Sequence, residues 1–245
     1  MMSKDRLVPV LKTNNRRLNL EFYVEKIGFT VLLEDAGLAS LGDAQKRVCL
    51  EMEELPSNRA LQPRGKKKLD LLVFRVQDAK AVEAGLARGL KFDELYQGSK
   101  GWAYLATSPE GDRILVHAEA SLADLKVVEQ SDYPESFQGG PIKLDHVELE
   151  ELRLNVLNKE KSEVFYQRLS WPTTLVFTEA ESDYLTAAAG QTWDLYQFRL
   201  SQADWNLDAL KQIFSDQEFF VPKRENFFLT QDPANQIELW MESHG

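Results

Sequence analysis

The stretch Asn15–Phe29, NRRLNLEFYVEKIGF, decides the fold because the chain carries it twice. Its Phe22-Tyr23 pair returns as Phe165-Tyr166, an offset of 143, behind a second asparagine at Asn158. Further along, Phe74-Arg75-Val76 returns as Phe198-Arg199-Leu200 and Tyr104-Leu105 as Phe228-Leu229, each at an offset of 124. The second copy is therefore the shorter one, by the difference between these two offsets, and the loss falls between its first helix and its second half. Such a repeat fixes the architecture before any single residue is read, because each unit must bury one face against its counterparts.

Within the quoted stretch, Leu20, Tyr23, Val24 and Ile27 fall at i, i+3, i+4 and i+7, one helical stripe, and Gly28 stands where a left-handed C-terminal residue is wanted. Asn14 and Asn15 offer N-caps. A strand over Leu7–Leu11 precedes this helix, and its Pro9 suits an edge or a strand start, since proline cannot donate to a central ladder. Short strands follow over Phe29–Glu34, Leu38–Leu41 and Arg47–Met52. The same order restarts with a strand over Leu69–Val76, Asp78 as N-cap, a helix carrying Val82, Leu86 and Leu90, and strands over Phe92–Tyr96, Gly101–Ala106 and Arg113–His117. Two βαβββ units result.

Ala120–Lys143 is punctuated by Ser131-Asp132-Tyr133-Pro134 and Gly139-Gly140-Pro141, which places a boundary there. Beyond it come a strand over Val147–Val156, a helix capped by Asn158, and a strand over Thr173–Glu179. The last unit runs from a strand over Trp193–Leu200, through a helix with Leu207, Leu210, Ile213 and Phe214, to a strand over Gln236–Met241. A deficit of the observed size would hold one strand of about five or six residues with its loop, so the third unit is expected to lack its last strand. Trp171, Trp193, Trp205 and Trp240 all fall in this shortened half, where large rings are available to fill the vacated volume. The expected organisation is an N-terminal domain over 1–120, a linker over 121–141 and a shortened C-terminal domain over 142–245.

Composition removes several function classes. Lys+Arg 29 against Asp+Glu 39 gives a net charge of −10, which disfavours a nucleic-acid partner, because phosphate backbones need a basic face. The basic run Arg64–Lys68 reads as a solvated loop before a strand. No stretch reaches the roughly 18 to 20 apolar residues of a membrane span, and the first fifteen residues lack a secretory apolar core. With a single cysteine, Cys49, no intramolecular disulfide is available. A cytoplasmic protein without a membrane partner is expected.

The quoted stretch, with Ser108-Pro109-Glu110-Gly111 and Asp232-Pro233-Ala234-Asn235-Gln236-Ile237-Glu238-Leu239, resembles the vicinal oxygen chelate superfamily of glyoxalases, bleomycin-resistance proteins and extradiol dioxygenases. A full N-terminal and a shortened C-terminal domain of this type is, more closely, similar to the streptococcal CppA family, whose members carry the label of a C3-degrading proteinase. The resemblance implies an α+β fold of tandem βαβββ glyoxalase-like modules, a complete N-terminal pair and a shortened C-terminal pair, each pair curving around a cleft. It also implies complement C3 as a partner.

In the superfamily's metal enzymes, a His or Glu on the first strand of a module and a Glu on a last strand hold the ion. The matching positions in the N-terminal half are Val8, Leu71 and Leu115, all aliphatic, so no metal is expected there and no cofactor is assigned. In the C-terminal half they are Glu151, Leu195 and Glu238, which leaves Glu151 and Glu238 as candidate metal ligands. Glu151 also belongs to the acidic run Glu148–Glu151, which reads equally as a solvated face. His117 shares a strand face with Leu115, two residues on, and joins Glu238 as a candidate catalytic group, an imidazole being able to act as acid or base. His146 falls on the opposite face from Glu151 if its strand is regular, and His244 lies in the tail.

No His-Glu-x-x-His helix, Gly-x-Ser-x-Gly elbow or Asp-Thr/Ser-Gly pair supports the proteinase label, and Cys49 stands between Val48 and Leu50 as a small core residue would. The residues by themselves favour a metal-independent cleft for a small molecule or a peptide. A metal-assisted lyase or dioxygenase using the C-terminal carboxylates is the rival.

Overall fold

The structure, a computed structural model, describes residues 5–140 and 142–243, which leaves His244 outside. The first module comprises β1 (Arg6–Thr13), helix α1, β2 (Thr30–Asp35), β3 (Leu38–Gly42) and β4 (Val48–Glu54). Asn15 caps α1 by accepting from the Leu18 N–H, and the α-helical turn Arg16–Leu20 widens into a π-helix over Glu21–Ile27. Gly28 ends it at φ 113, donating its N–H to the Tyr23 carbonyl. A Cβ at Gly28 would stand 2.8 Å from Nη2 of Arg88, whose guanidinium donates to the carbonyls of Lys26 and Ile27. Gly28→Ala therefore meets both a positive φ and a helix clamp, and is expected to lower the unfolding free energy by about 1–2 kcal/mol in urea melts. An unchanged midpoint would mean that the helix end has another conformation.

The second module contributes β5 (Leu69–Arg75), α2 (Ala79–Ala87), β6 (Glu94–Gln97), β7 (Trp102–Thr107) and β8 (Arg113–His117), followed by the short β9 (Lys126–Val127). The third is β10 (Glu148–Val156), α3 (Lys159–Tyr166) and β11 (Thr174–Glu179). The fourth is β12 (Leu195–Gln202), α4 (Leu207–Ile213), β13 (Phe219–Phe220), β14 (Phe227–Asp232) and β15 (Ile237–Ser243).

These strands form two mixed sheets. One runs β13-β14-β15-β12-β1-β4-β3-β2, the other β11-β10-β5-β8-β7-β6-β9. The first module thus shares a sheet with the fourth, and the second with the third, through the antiparallel pairs β1·β12 and β5·β10. Each cleft is accordingly built from both halves of the chain rather than from one. Pro9 lies inside the eight-stranded sheet, opposite Phe198, and not on an edge. The β1·β4 pairing begins only at Val10, so the missing N–H falls where β4 has not yet joined the ladder.

The shortened module also departs from expectation. In the first module Val10 pairs with Glu51, β1 and β4 being parallel neighbours; in the third, Arg153 pairs with Val176 in the same parallel sense. Arg153 is the repeat counterpart of Val10 at the first offset, and Val176 follows Glu51 by almost the second, so β11 takes the place of β4. The lost block is therefore the outer pair equivalent to β2 and β3, and the last strand is retained. An inner strand bonded to β10 is harder to remove than two outer ones, whose loss only moves the sheet edge inward.

The turns that carry the resemblance serve the packing between modules. Glu110 Oε1 accepts from the N–H groups of Asn14 and Asn15, tying the β7–β8 turn to the start of α1. The Asp232–Asn235 turn does the same for α3: Asn235 donates to Ser162 Oγ, and its own amide is held by Asp232. The buried Glu110 carboxylate at a helix start fits the partial positive charge there.

Candidate functional site

In each sheet one face points into the core and the other away from it. Along the seven-stranded sheet, Leu72, Phe74, Ile114 and Val116 enter the main core, while Leu71, Val73, Leu105 and Leu115 form a separate apolar cluster on the opposite face. Leu122 and Leu125, from the segment after β8, pack onto that cluster with Tyr96. The four side chains of this cluster are hydrocarbon and offer no donor.

His117 ends the same row. Its side chain is fully buried, neither ring nitrogen has a hydrogen-bond partner, and Nε2 lies 3.5 Å from Glu150 Oε2, which also lacks one. Burial, assisted by the Arg75 guanidinium, pushes the imidazole down to about 4. Burial likewise pushes the Glu150 carboxyl upward. Glu151 is turned to a different partner, Arg153. His146 precedes β10 at φ 48 with its ring beside Asp145 at 3.2 Å, half-exposed and outside any cluster.

Glu238 stands elsewhere, on β15 of the eight-stranded sheet. The structure thus separates Glu151 from Glu238, and His117 from Glu238, by a whole sheet. Leu195, the third C-terminal position, belongs to the core.

What Glu238 does face is a row running straight across the sheet. Registers Ser40↔Glu51, Glu51↔Val10, Val10↔Gln197 and Gln197↔Glu238 place these residues side by side on the face away from the core. Polar contacts run along it: Ser40 Oγ donates to Glu51 Oε1 at 2.7 Å, Arg199 Nη1 meets Glu51 Oε2 at 2.9 Å, Arg199 Nε donates to Gln197 Oε1 at 3.1 Å, and Gln197 Nε2 donates to Glu238 Oε2 at 2.8 Å. Glu51 is nearly buried, with 7% of its side chain exposed, whereas Arg199 keeps 35%.

Aromatic rings flank the row. Trp240 lies beneath the Arg199 guanidinium at 5.6 Å and stacks on Phe227 with ring centroids 3.7 Å apart. On the other side Tyr196 donates to Glu53 at 2.6 Å, and Lys12 pairs with the same carboxylate at 2.7 Å while covering the Tyr196 ring. Burial, with Glu53 beside it, drives the Tyr196 phenol well above its ordinary range.

Sequence reasoning missed Glu51, Gln197 and Arg199. A signal existed for two of them. Arg199 repeats Arg75, and both guanidiniums bind carboxylates presented by a neighbouring module. Glu51 sits at the last-strand position of the first module, which becomes relevant once that module is known to pair with the fourth.

A divalent ion at this row would need several oxygen or nitrogen donors converging on one point. Of the five residues in the row, Val10 has no donor, Ser40 turns its hydroxyl to Glu51, Gln197 turns its carbonyl oxygen to Arg199 and its amide to Glu238, and Glu51 is neutralised by the guanidinium. Only Glu238 remains, beside a fixed positive charge. Among the described residues no group of three or more His, Cys, Asp or Glu side chains is arranged to hold a metal. The donor set does not fit.

The Cys49 thiol donates to the Arg47 carbonyl rather than to a base. Burial, reinforced by Asp43, pushes the Cys49 thiol up to about 12, so it stays protonated, and the charged groups acting on it are Asp43, Arg47 and Arg6. His117 is on the other sheet.

Tandem modules of this kind, paired across two mixed sheets, define a glyoxalase-like fold. Glyoxalase I from Zea mays superposes with a TM-score of 0.57 at 14% identity, covering 98% of this chain and 93% of that one. The chain belongs to the CppA family: the family models for the CppA N-terminal and C-terminal domains match residues 7–128 and 144–241. The cppA protein from Streptococcus pneumoniae TIGR4 is 35% identical, with a TM-score of 0.86 and 98% of each chain covered. No curated protein matches. Among the described residues no helix is long and apolar enough to cross a membrane.

Proposed function

We propose that this protein is a metal-independent binding protein. Its seat is the Glu51–Arg199–Gln197–Glu238 row of the eight-stranded sheet, and its ligand is a small organic molecule, or the end of a peptide, bearing an anionic oxygen next to an apolar or aromatic body. One observation carries the reading: a guanidinium, linked to Glu51 at 2.9 Å, stands opposite Val8, the first-strand position at which the resemblance implies a metal ligand in metal-dependent relatives. Arg199 is partly exposed and fixed by Glu51 and Gln197, which presets a fork suited to a carboxylate, and Trp240 with Phe227 supplies a flat wall beside it. Few polar anchors next to an apolar wall is the usual form of a small-ligand site.

Aromatic carboxylates such as benzoate and indole-3-acetate, compared with their amides in the presence of a chelator, test this by thermal shift. Carboxylates at a hundredfold excess over their dissociation constant are expected to stabilise the protein by about 2.7 kcal/mol, the amides far less. The stabilisation should survive the chelator and vanish in Arg199→Met. Equal effects of acids and amides, or tight stoichiometric binding of a divalent metal, would refute the proposal.

A further inference from the structure

Loss of the two outer strands leaves the third module with an open side. Among the described residues β11 has β10 as its only sheet neighbour, whereas its counterpart β4 lies between β1 and β3. Ala180 N–H donates to the Val156 carbonyl on β10, so by the two-residue alternation of a strand the N–H groups of Leu175, Phe177 and Glu179 point away from β10. Among the described residues they have no backbone partner.

A hollow of about 380 Å³ adjoins this edge, between α3 and β11, lined chiefly by Glu163, Tyr166, Leu169, Trp171, Leu175 and Phe177. Its wall is aromatic: the Tyr166 ring centroid is 5.5 Å from that of Trp171 and 5.2 Å from that of Phe177. Trp171, anchored by its indole N–H on the Tyr166 carbonyl at 2.7 Å, lines the hollow without filling it. The other tryptophans of this half lie elsewhere; Trp193 donates to the Leu55 carbonyl and Trp240 belongs to the other sheet.

The repeat shows what covers such an edge. In the first module, β3 pairs antiparallel with β4 and delivers Ala39 and Leu41, both fully buried, into the core. Beside the β11 edge, Glu163 on the wall pairs with Lys159 at 3.7 Å, and Glu179 accepts from the Lys159 N–H.

We propose that β11 and the adjoining hollow form a docking site for an extended segment of a partner polypeptide. The segment adds as an antiparallel strand in the place β3 holds in the first module. Its alternate side chains are apolar and enter the hollow, as Ala39 and Leu41 of β3 enter the core of the first module, and the side chains between them face the opposite side of the sheet. Main-chain hydrogen bonds to the edge supply register, and the Tyr166–Trp171–Phe177 wall supplies the selection for apolar side chains.

A ten-residue synthetic peptide alternating leucine and lysine is the probe, read by fluorescence anisotropy and by amide hydrogen exchange. Saturable binding is expected, together with slowed exchange at Leu175, Phe177 and Glu179. Replacing the central residues of the peptide by proline, or its leucines by serine, should weaken binding at least about tenfold. Leu175→Ser, checked for folding by circular dichroism, should do the same, and Arg199→Met should leave it unchanged, which separates this site from the one on the other sheet. Protection at the three amides reports the docking site independently of whether Leu175→Ser folds. The proposal is overturned if the proline peptide binds equally well, or if the three amides exchange at the same rate with and without peptide. Protection of these amides by protein concentration alone would assign the edge to a second copy of the chain and also overturn it.

Discussion

Arg199→Met is expected to destabilise the protein by about 2–3 kcal/mol, and Glu51→Gln placed in the same chain to recover most of that loss. The reason lies in the unequal burial of the partners. Glu51 keeps only 7% of its side chain exposed and Arg199 35%, so removing the guanidinium strands a nearly buried carboxylate, while removing the carboxylate leaves an arginine that still reaches water. Breaking a fully buried pair by deleting one partner costs about 3–5 kcal/mol; the partial exposure of Arg199 brings the figure down. Urea denaturation of the parent, both single variants and the double variant gives the coupling directly, expected at about 2 kcal/mol. Additivity to within about 0.5 kcal/mol would remove Arg199 from the role of internal counter-ion and weaken the binding proposal with it. Lys12→Met is the built-in comparison, because its partner Glu53 keeps 40% of its side chain exposed and is expected to tolerate the loss far better.

The modules themselves were legible in the sequence, and the reason is local. Asn15, Asp78, Asn158 and Asn206 each accept from a backbone N–H at the start of a helix, and capping is written in a few adjacent residues. The pairing of modules was not legible. Nothing near Val10 says that its neighbours are Glu51 and Gln197, both far along the chain, because the partner of a strand edge is chosen by the whole sheet. For the same reason Glu151 and Glu238 read as one site when each was assigned to the C-terminal half, and they lie on different sheets once the halves exchange modules. The size of the deletion and its place after the first helix of the second copy were legible, and which strands it removed was not: only the parallel register of Arg153 with Val176 shows that the last strand stays and the outer pair is gone.

His117 should make the protein sensitive to mild acid, by about 3 kcal/mol between pH 6.5 and pH 4. Its imidazole is fully buried without a partner for either nitrogen, and burial holds its folded-state pKa at about 4, against 6.5 for the exposed ring. As the pH falls through 6.5 the unfolded chain takes up a proton that the folded chain refuses, so the stabilisation is complete above that pH and is lost progressively until the folded ring protonates near 4. The groups facing the ring set this balance: Arg75 and Lys100 oppose the charged form, Glu119 favours it, and Glu150, 3.5 Å away, is itself pushed upward by burial. The raised Glu150 acts in the opposite direction, since a carboxyl that prefers its proton when folded regains stability as the pH falls through its own range. His117→Leu, which fills the site with hydrocarbon and removes both unpartnered nitrogens, is expected to flatten the curve of unfolding free energy between pH 7 and pH 5 and to raise stability at pH 7 by about 1 kcal/mol. An acid limb that persists unchanged in His117→Leu would show that the imidazole is hydrated or partnered in solution, and that the row ending at His117 is open to water at that end rather than sealed.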